Sequence, residues 1–254
     1  MRDMQAKGQA PDILFWVGCA GSFDARAQKI SIAFVSILHK AQINFAILGK
    51  EEKCTGDAAR RAGNEFLFQM MAYNNIQVLN GYGVKKIVAT CPHCYNTLKN
   101  EYPELGGNYE VMHHATFIEQ LVQEGKIKLK DESIVSSIKA TYHDSCYLGR
   151  ANNLYDASRN LLQSLNSDVI EMGRCRSNGL CCGAGGAQMF KEEEHGTKRI
   201  NTERTDEALE TGATVVVTAC PFCNTMISDG IKDRNKENEV QALDIAEIVA
   251  ASME

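Results

Sequence analysis

The chain has no apolar stretch long enough to span a bilayer: its longest runs, such as Thr214–Ala219 and Ile43–Leu48, fall far short of the roughly 20 residues a transmembrane helix requires. Its opening segment, MRDMQAKGQAPD, lacks the apolar centre of a secretory signal. The expected location is therefore the cytoplasm, with any membrane association made through a partner. No basic block is present, and 27 Lys+Arg against 32 Asp+Glu leave a formal net charge of −5, so the electrostatic footprint of a nucleic-acid binder is missing. Neither a GxGxxG turn after a strand nor a Walker A loop occurs, which removes the usual means of holding a dinucleotide or ATP. What is there is a globular composition, 44% hydrophobic and 23% charged over 254 residues, enough for one large core or two modest ones.

Ten cysteines are too sparse for a disulfide-stapled secreted domain and numerous for a chain kept in a reducing compartment. Their positions are informative. Cys19 and Cys146 are 127 residues apart, as are Cys54 and Cys181, while Cys91 and Cys220, like Cys94 and Cys223, are 129 apart. The flanks repeat too, Cys91-Pro92-His93-Cys94 against Cys220-Pro221-Phe222-Cys223. The chain is an internal duplication, the feature to settle before any other.

Each half reads as alternating strands and helices. In the first, Ile13–Val17 is an apolar strand ending at Gly18-Cys19, and Ile30, Phe34, Ile37 and Leu38 line one face of a helix. Ile43–Leu48 is a second strand, followed by a helix from Ala58 to Leu79 that is expected to break around Asn74-Asn75. Lys86–Thr90 runs into Cys91, and Tyr109–His113 with Thr116–Val122 supplies a fourth strand and helix. The second half repeats the order: strand Ala140–His143, helix Tyr155–Leu165, strand Asp168–Met172, helix Ile200–Thr211, strand Thr214–Thr218, strand Val240–Leu243 and helix Ile245–Ala251. The stretch Lys126–Ile138 is the natural linker. The fold class predicted is α/β: two pseudo-symmetric Rossmann-like domains, 11–126 and 138–252, with mainly parallel sheets. Ligand crevices of such sheets lie beyond the carboxyl ends of the strands, and every repeated cysteine follows a predicted strand.

Thiolates select zinc, copper(I) and iron–sulfur clusters. Zinc ribbons pair two CxxC knuckles, whereas each half here has one, plus a lone cysteine and, in the second half, the adjacent Cys181-Cys182. Adjacent thiolates fit one tetrahedral zinc poorly but can serve two irons of a cluster. The run Gly183-Ala184-Gly185-Gly186 is either a flexible turn or a backbone that can approach inorganic sulfide closely.

Cys146, Cys181-Cys182-Gly183 and Cys220-x-x-Cys223 reproduce the pattern of the cysteine-rich CCG domain. From about residue 11 to 252 the chain resembles the B subunit of heterodisulfide reductase and its bacterial relatives, including iron–sulfur subunits of lactate and glycolate oxidation. The resemblance implies a noncubane 4Fe-4S cluster on Cys146, Cys181, Cys182, Cys220 and Cys223, with Gly183 beside it, acting as the redox and catalytic centre. It implies an oxidoreductase subunit that passes electrons between a ferredoxin-type iron–sulfur partner and a disulfide or other acceptor, with a membrane haem subunit or a flavoprotein as further partners. The first half departs from the pattern at Cys54-Thr55-Gly56. Cys19, Cys54, Cys91 and Cys94 can then hold a 4Fe-4S cubane or a structural zinc. The alternatives are a non-catalytic electron-transfer subunit and a thiol–disulfide exchange protein working through Cys91-Pro92-His93-Cys94, whose first thiolate a helix N-terminus favours.

Among the remaining residues, Cys175 falls outside the repeat and reads as a loop thiol. His143-Asp144 can either donate to the cluster or serve as buried structural groups. His113-His114 is aligned with Ala242-Leu243, hence outside the repeated core, at the rim or an interface. Arg150, Arg174 and Arg176 read as surface arginines that can also receive an acidic partner or an anion. Ser145 stands where relatives carry proline. Phe66, Met70 and Tyr73 read as helix core.

Overall fold

The computed structural model describes residues 1–130, 138–192 and 196–254; residues 131–137 of the expected linker lie outside them. The first half runs α1 (Arg2–Ala6), β1 (Ile13–Trp16), α2 (Gly18–Phe23), α3 (Ala25–Lys40), β2 (Phe45–Ala46), α4 (Asp57–Arg61), α5 (Glu65–Gly81), β3 (Lys86–Ala89), α6 (Pro92–Asn96), β4 (Glu110–His113) and α7 (His114–Gln123). The second runs β5 (Lys139–Tyr142), α8 (Gly149–Asn152), α9 (Ala157–Ser164), β6 (Asp168–Val169), α10 (Ile200–Glu210), β7 (Val215–Thr218), α11 (Pro221–Asp233), β8 (Gln241–Asp244) and α12 (Ile245–Ser252). Two four-stranded sheets result, ordered β2-β1-β3-β4 and β6-β5-β7-β8, with every neighbouring pair parallel. The fold is α/β, two similar units each with helices around a parallel sheet. Register repeats with it: Leu14 pairs with Ile87 and, one repeat later, Thr141 with Val216. Strands β2 and β6 are shorter than their apolar runs because each pairs with its inner neighbour over only two residues.

The halves share one interior. A single apolar cluster joins Leu14, Phe34, Ile87 and Ile118 of the first to Leu161, Val217, Ile248 and Val249 of the second. The packing is reciprocal: α3 lies on α12, α9 on α7, and α7 and α12 meet each other. This is the arrangement of an isologous dimer within one chain. Arg26 on α3 reinforces it with a bidentate pair to Glu247 (2.8 and 2.6 Å) and a bond to the Ala242 carbonyl (2.8 Å).

Three sequence readings are corrected here. The break after Ala58 falls at 62–64, where Gly63 takes φ +88° and Asn64 caps α5; Asn75 sits buried within the continuous helix. Phe66, Met70 and Tyr73 are 76, 52 and 57% exposed, and the buried face of α5 is instead Phe68, Ala72, Asn75, Ile76 and Leu79. Apolar residues lie on both sides of this helix, so the same spacing fits two faces. Finally, His113 belongs to the repeat. Ala89 pairs with His113 as Thr218 pairs with Asp244, so the histidine corresponds to Asp244, two positions beyond the alignment expected.

Both residues cap the last helix of their half: His113 accepts from the Ala115 N–H and Asp244 from the Ala246 N–H. His114 then bridges the halves, its Nε2 lying 2.8 Å from Asp244 Oδ1, with no exposed side-chain surface on either residue. Asp244→Ala removes a cap and strands a buried imidazole, so it is expected to cost about 3 kcal/mol, read as a lower denaturant midpoint; Asp244→Asn, which keeps a capping oxygen, should cost clearly less.

Candidate metal centre

In the second half, loops after three strands bring five cysteines together. Cys146 follows β5, Cys181-Cys182 follows β6, and Cys220 caps α11 with Pro221 at its first position. Cys220 Sγ accepts from the Cys223 N–H at 3.5 Å. The thiols sit near enough to shift one another's ionisation in sequence, Cys146 with Cys181, Cys181 with Cys182, Cys182 with Cys223 and Cys223 with Cys220. Cys182, Cys220 and Cys223 are buried, while Cys146 and Cys181 are half-buried. The backbone explains the glycine of the motif. Gly183 adopts φ +93°, available to few other residues, and in that conformation its N–H donates to Cys181 Sγ at 3.3 Å.

The first half copies this layout. Gly56 has φ +90° and donates to Cys54 Sγ at 3.4 Å, and a Cβ added there would meet Phe68. Cys19 lies beside Cys54 and Cys91 beside Cys94, each shifting its neighbour's ionisation, with all four thiols free. Thr55 takes the place of Cys182: its Oγ1 lies 3.9 Å from Cys94 Sγ, just as Cys182 approaches Cys223. Four sulfurs remain, with a hydroxyl where the fifth would be.

The two sites abut. Cys91 and Cys220, the caps of α6 and α11, are near enough to shift each other's ionisation. His93 sits at the junction, bonded to Asp57 at 2.9 Å, stacked on Tyr147 at 4.1 Å between ring centres and edge-on to Phe222. A cavity of about 50 Å³ opens over the first site, lined by its four cysteines, His93 and Phe222 and covered by Ala184, Ala187 and Phe190 from the glycine-rich segment of the second half. That segment therefore serves both sites.

Thiols this close shift one another. Hydrogen bonds from Cys146 and Cys182 hold Cys181 far below the ordinary thiol pKa; bonds from Cys220 and Cys94 do the same for Cys91. Cys54, bonded by Cys19 and the Gly56 N–H, comes down to about 7. Each site thus offers thiolate among converging sulfurs, the donor set that thiophilic metals and iron–sulfur clusters take. The residues fit such a group.

The surroundings divide into supports and bystanders. Asp144 holds Arg159 at 2.8 and 2.9 Å and accepts from the Arg176 N–H at 2.6 Å, so it braces the loop entering Cys146. Arg174 pairs with Glu203 and Glu207, and Arg176 with Asp156; Arg150 is exposed. Cys175 caps the short turn Arg176–Asn178, apart from the converging thiols. Ser145 Oγ approaches Cys223 Sγ at 3.6 Å. His143 lies among the sulfurs, with one ring nitrogen in a group of ligand atoms all within 4.8 Å that also includes Cys182 and Cys223. Burial and the charge of Arg204 keep it neutral, with a pKa lowered to about 3.

Sequence pattern does not single out Asn75. From the middle of α5 its amide accepts from the Lys53 N–H (3.2 Å) and donates to the Cys54 carbonyl (3.0 Å) and to Tyr102 Oη (3.1 Å), clamping the Cys54 loop. The one signal is a polar residue on the apolar face of a helix, visible only once that face is assigned.

Residues 13–99 and 140–228 match the cysteine-rich domain family, CCG. The chain belongs to this family. It is 47% identical over 253 residues to the EtfAB:quinone oxidoreductase of Syntrophomonas wolfei, covering 97% of this chain and 35% of that protein. It is 45% identical over 254 residues to a probable iron-sulfur-binding oxidoreductase, FadF, of Bacillus subtilis, covering 100% and 36%. It is also 34% identical over 251 residues to the D subunit of the dihydromethanophenazine:CoB–CoM heterodisulfide reductase of Methanosarcina barkeri, covering 95% and 59%. This heterodisulfide reductase relative is a D subunit, and this chain spans about a third of the length of the first two proteins. No helix among the described residues is long and apolar enough to cross a membrane.

Asn75→Ala leaves several buried backbone groups unpaired and is expected to cost about 2–4 kcal/mol. In the metal-free protein it should also speed alkylation of Cys54 while leaving Cys181 unchanged, as read by mass spectrometry of labelled peptides.

Proposed function

We propose that this chain is the cysteine-rich electron-transfer part of an iron–sulfur oxidoreductase, built from two CCG units at 11–126 and 138–252. Cys146, Cys181, Cys182, Cys220 and Cys223 would hold a noncubane 4Fe-4S cluster, and Cys19, Cys54, Cys91 and Cys94 a 4Fe-4S cubane. Bound there, such groups supply one-electron storage at a potential set by the surrounding protein. The observation that carries the reading is the convergence of the repeated cysteines at the strand ends of both halves, with Cys91 and Cys220 near enough to shift each other's ionisation.

A cluster rather than zinc is favoured at the first site because its four cysteines line a cavity, whereas structural zinc sites are closed. Electron transfer rather than reduction of a bound disulfide is favoured by the size of that cavity and by the burial of Cys182, Cys220 and Cys223. Thr55 adds to this, since it denies the first half the fifth thiolate that a symmetric pair of noncubane centres would require. The names of the relatives support a redox assembly; in the cytoplasm or at a membrane surface, electrons would enter from a flavoprotein or ferredoxin-type partner and leave to a quinone, a disulfide or another acceptor. A partner with a membrane haem fits the same scheme.

The test is iron, acid-labile sulfide and zinc on anaerobically purified protein. About eight irons without zinc are expected, and Cys182→Ser should lower iron at the second site only. About four irons with one zinc would make the first site structural, and neither metal would turn the reading to thiol–disulfide exchange through Cys91 and Cys94. Thr55→Cys should leave the iron content unchanged and give the first site an electron paramagnetic resonance signal closer to that of the second.

A further inference from the structure

His143 closes β5, three residues before Cys146, with its ring fully buried. Its proximity to the sulfurs of Cys182 and Cys223 taken alone describes a metal ligand. The bond at Nδ1 argues differently. Arg204 on α10, with no exposed side-chain surface, donates from Nε to His143 Nδ1 at 2.9 Å. It is itself fixed by the Arg174 carbonyl and Glu207 Oε2, each at 2.8 Å. A guanidinium stays protonated and can only donate, so Nδ1 must accept, and the single proton of the neutral imidazole resides on Nε2. That N–H is buried with no partner in the chain. A nitrogen that carries a proton has no lone pair for a metal.

The repeat supplies a second, independent observation. One unit earlier the corresponding residue is Trp16, also three before the first cysteine, and its indole N–H is likewise buried without a partner. Imidazole and indole have in common a ring N–H, and indole is no metal ligand. The position selects a donor.

We propose that His143 is a positioning residue that donates an Nε2–H hydrogen bond to a sulfur of the second metal centre, held in that tautomer by Arg204; this rests on the cluster reading above. Such a bond stabilises the more negatively charged, reduced state and raises the reduction potential.

The experiment uses the anaerobically purified full chain with ¹⁵N-labelled histidine, reduced and examined by hyperfine spectroscopy in H₂O and D₂O. The expected result is a weakly coupled exchangeable proton and no strongly coupled histidine nitrogen. His143→Leu should lose that proton and shift the potential downward with iron retained, and His143→Gln, which keeps an N–H donor, should recover most of the shift. A strongly coupled nitrogen in the wild type, or an unchanged potential in His143→Leu, would overturn the proposal. If His143→Leu loses its iron, the wild-type couplings decide alone. A wild-type protein with no iron at the second site would overturn the cluster reading as well, which the metal analysis reports separately.

Discussion

Everything at the cysteine sites depends on the two halves burying their helices against each other. Neither sheet is covered by its own half alone: α3 needs α12, α9 needs α7, and α7 and α12 need one another. That reciprocal packing turns the carboxyl ends of both sheets toward a common seam, so that two strand-end cysteines 129 residues apart, Cys91 and Cys220, come together. The buried bond between His114 and Asp244 gives the seam a directional element that apolar contact lacks.

Within each site the backbone does as much as the thiols. A glycine in the left-handed region at Gly56 and Gly183 directs an N–H to the sulfur two residues before it, and a proline after Cys91 and Cys220 begins a helix whose first turn faces the site. The halves then differ at single side chains of consequence: a threonine hydroxyl at 55 where the other half has the thiol of Cys182, and the indole of Trp16 where it has the imidazole of His143. A duplicated scaffold thereby presents two chemically distinct sites.

The repeat, the parallel α/β fold and the nine cysteines that meet at the seam are legible in the sequence because each rests on local pattern: apolar runs, strand-end cysteines and a constant offset. What is not legible is anything decided across the seam. Pattern alone misaligns His113 by two positions because its match to Asp244 is functional, one capping group for another, and not chemical. The stripe of Phe66, Met70 and Tyr73 has the spacing of a core face, yet α5 has a second such face containing Phe68 and Ile76, and only packing chooses between them. Asn75 and Arg204 act on loops 21 and 61 residues away in sequence, beyond the reach of any local reading.

The continuous interior has a consequence for how such a protein is made. With Cys220 and Cys223 buried and the main apolar interior drawn from both halves, neither half completes its core until the two have packed together. On the proposed cluster reading, cofactor delivery would be coupled to collapse of the entire polypeptide, with iron and sulfur needed before the chain shuts.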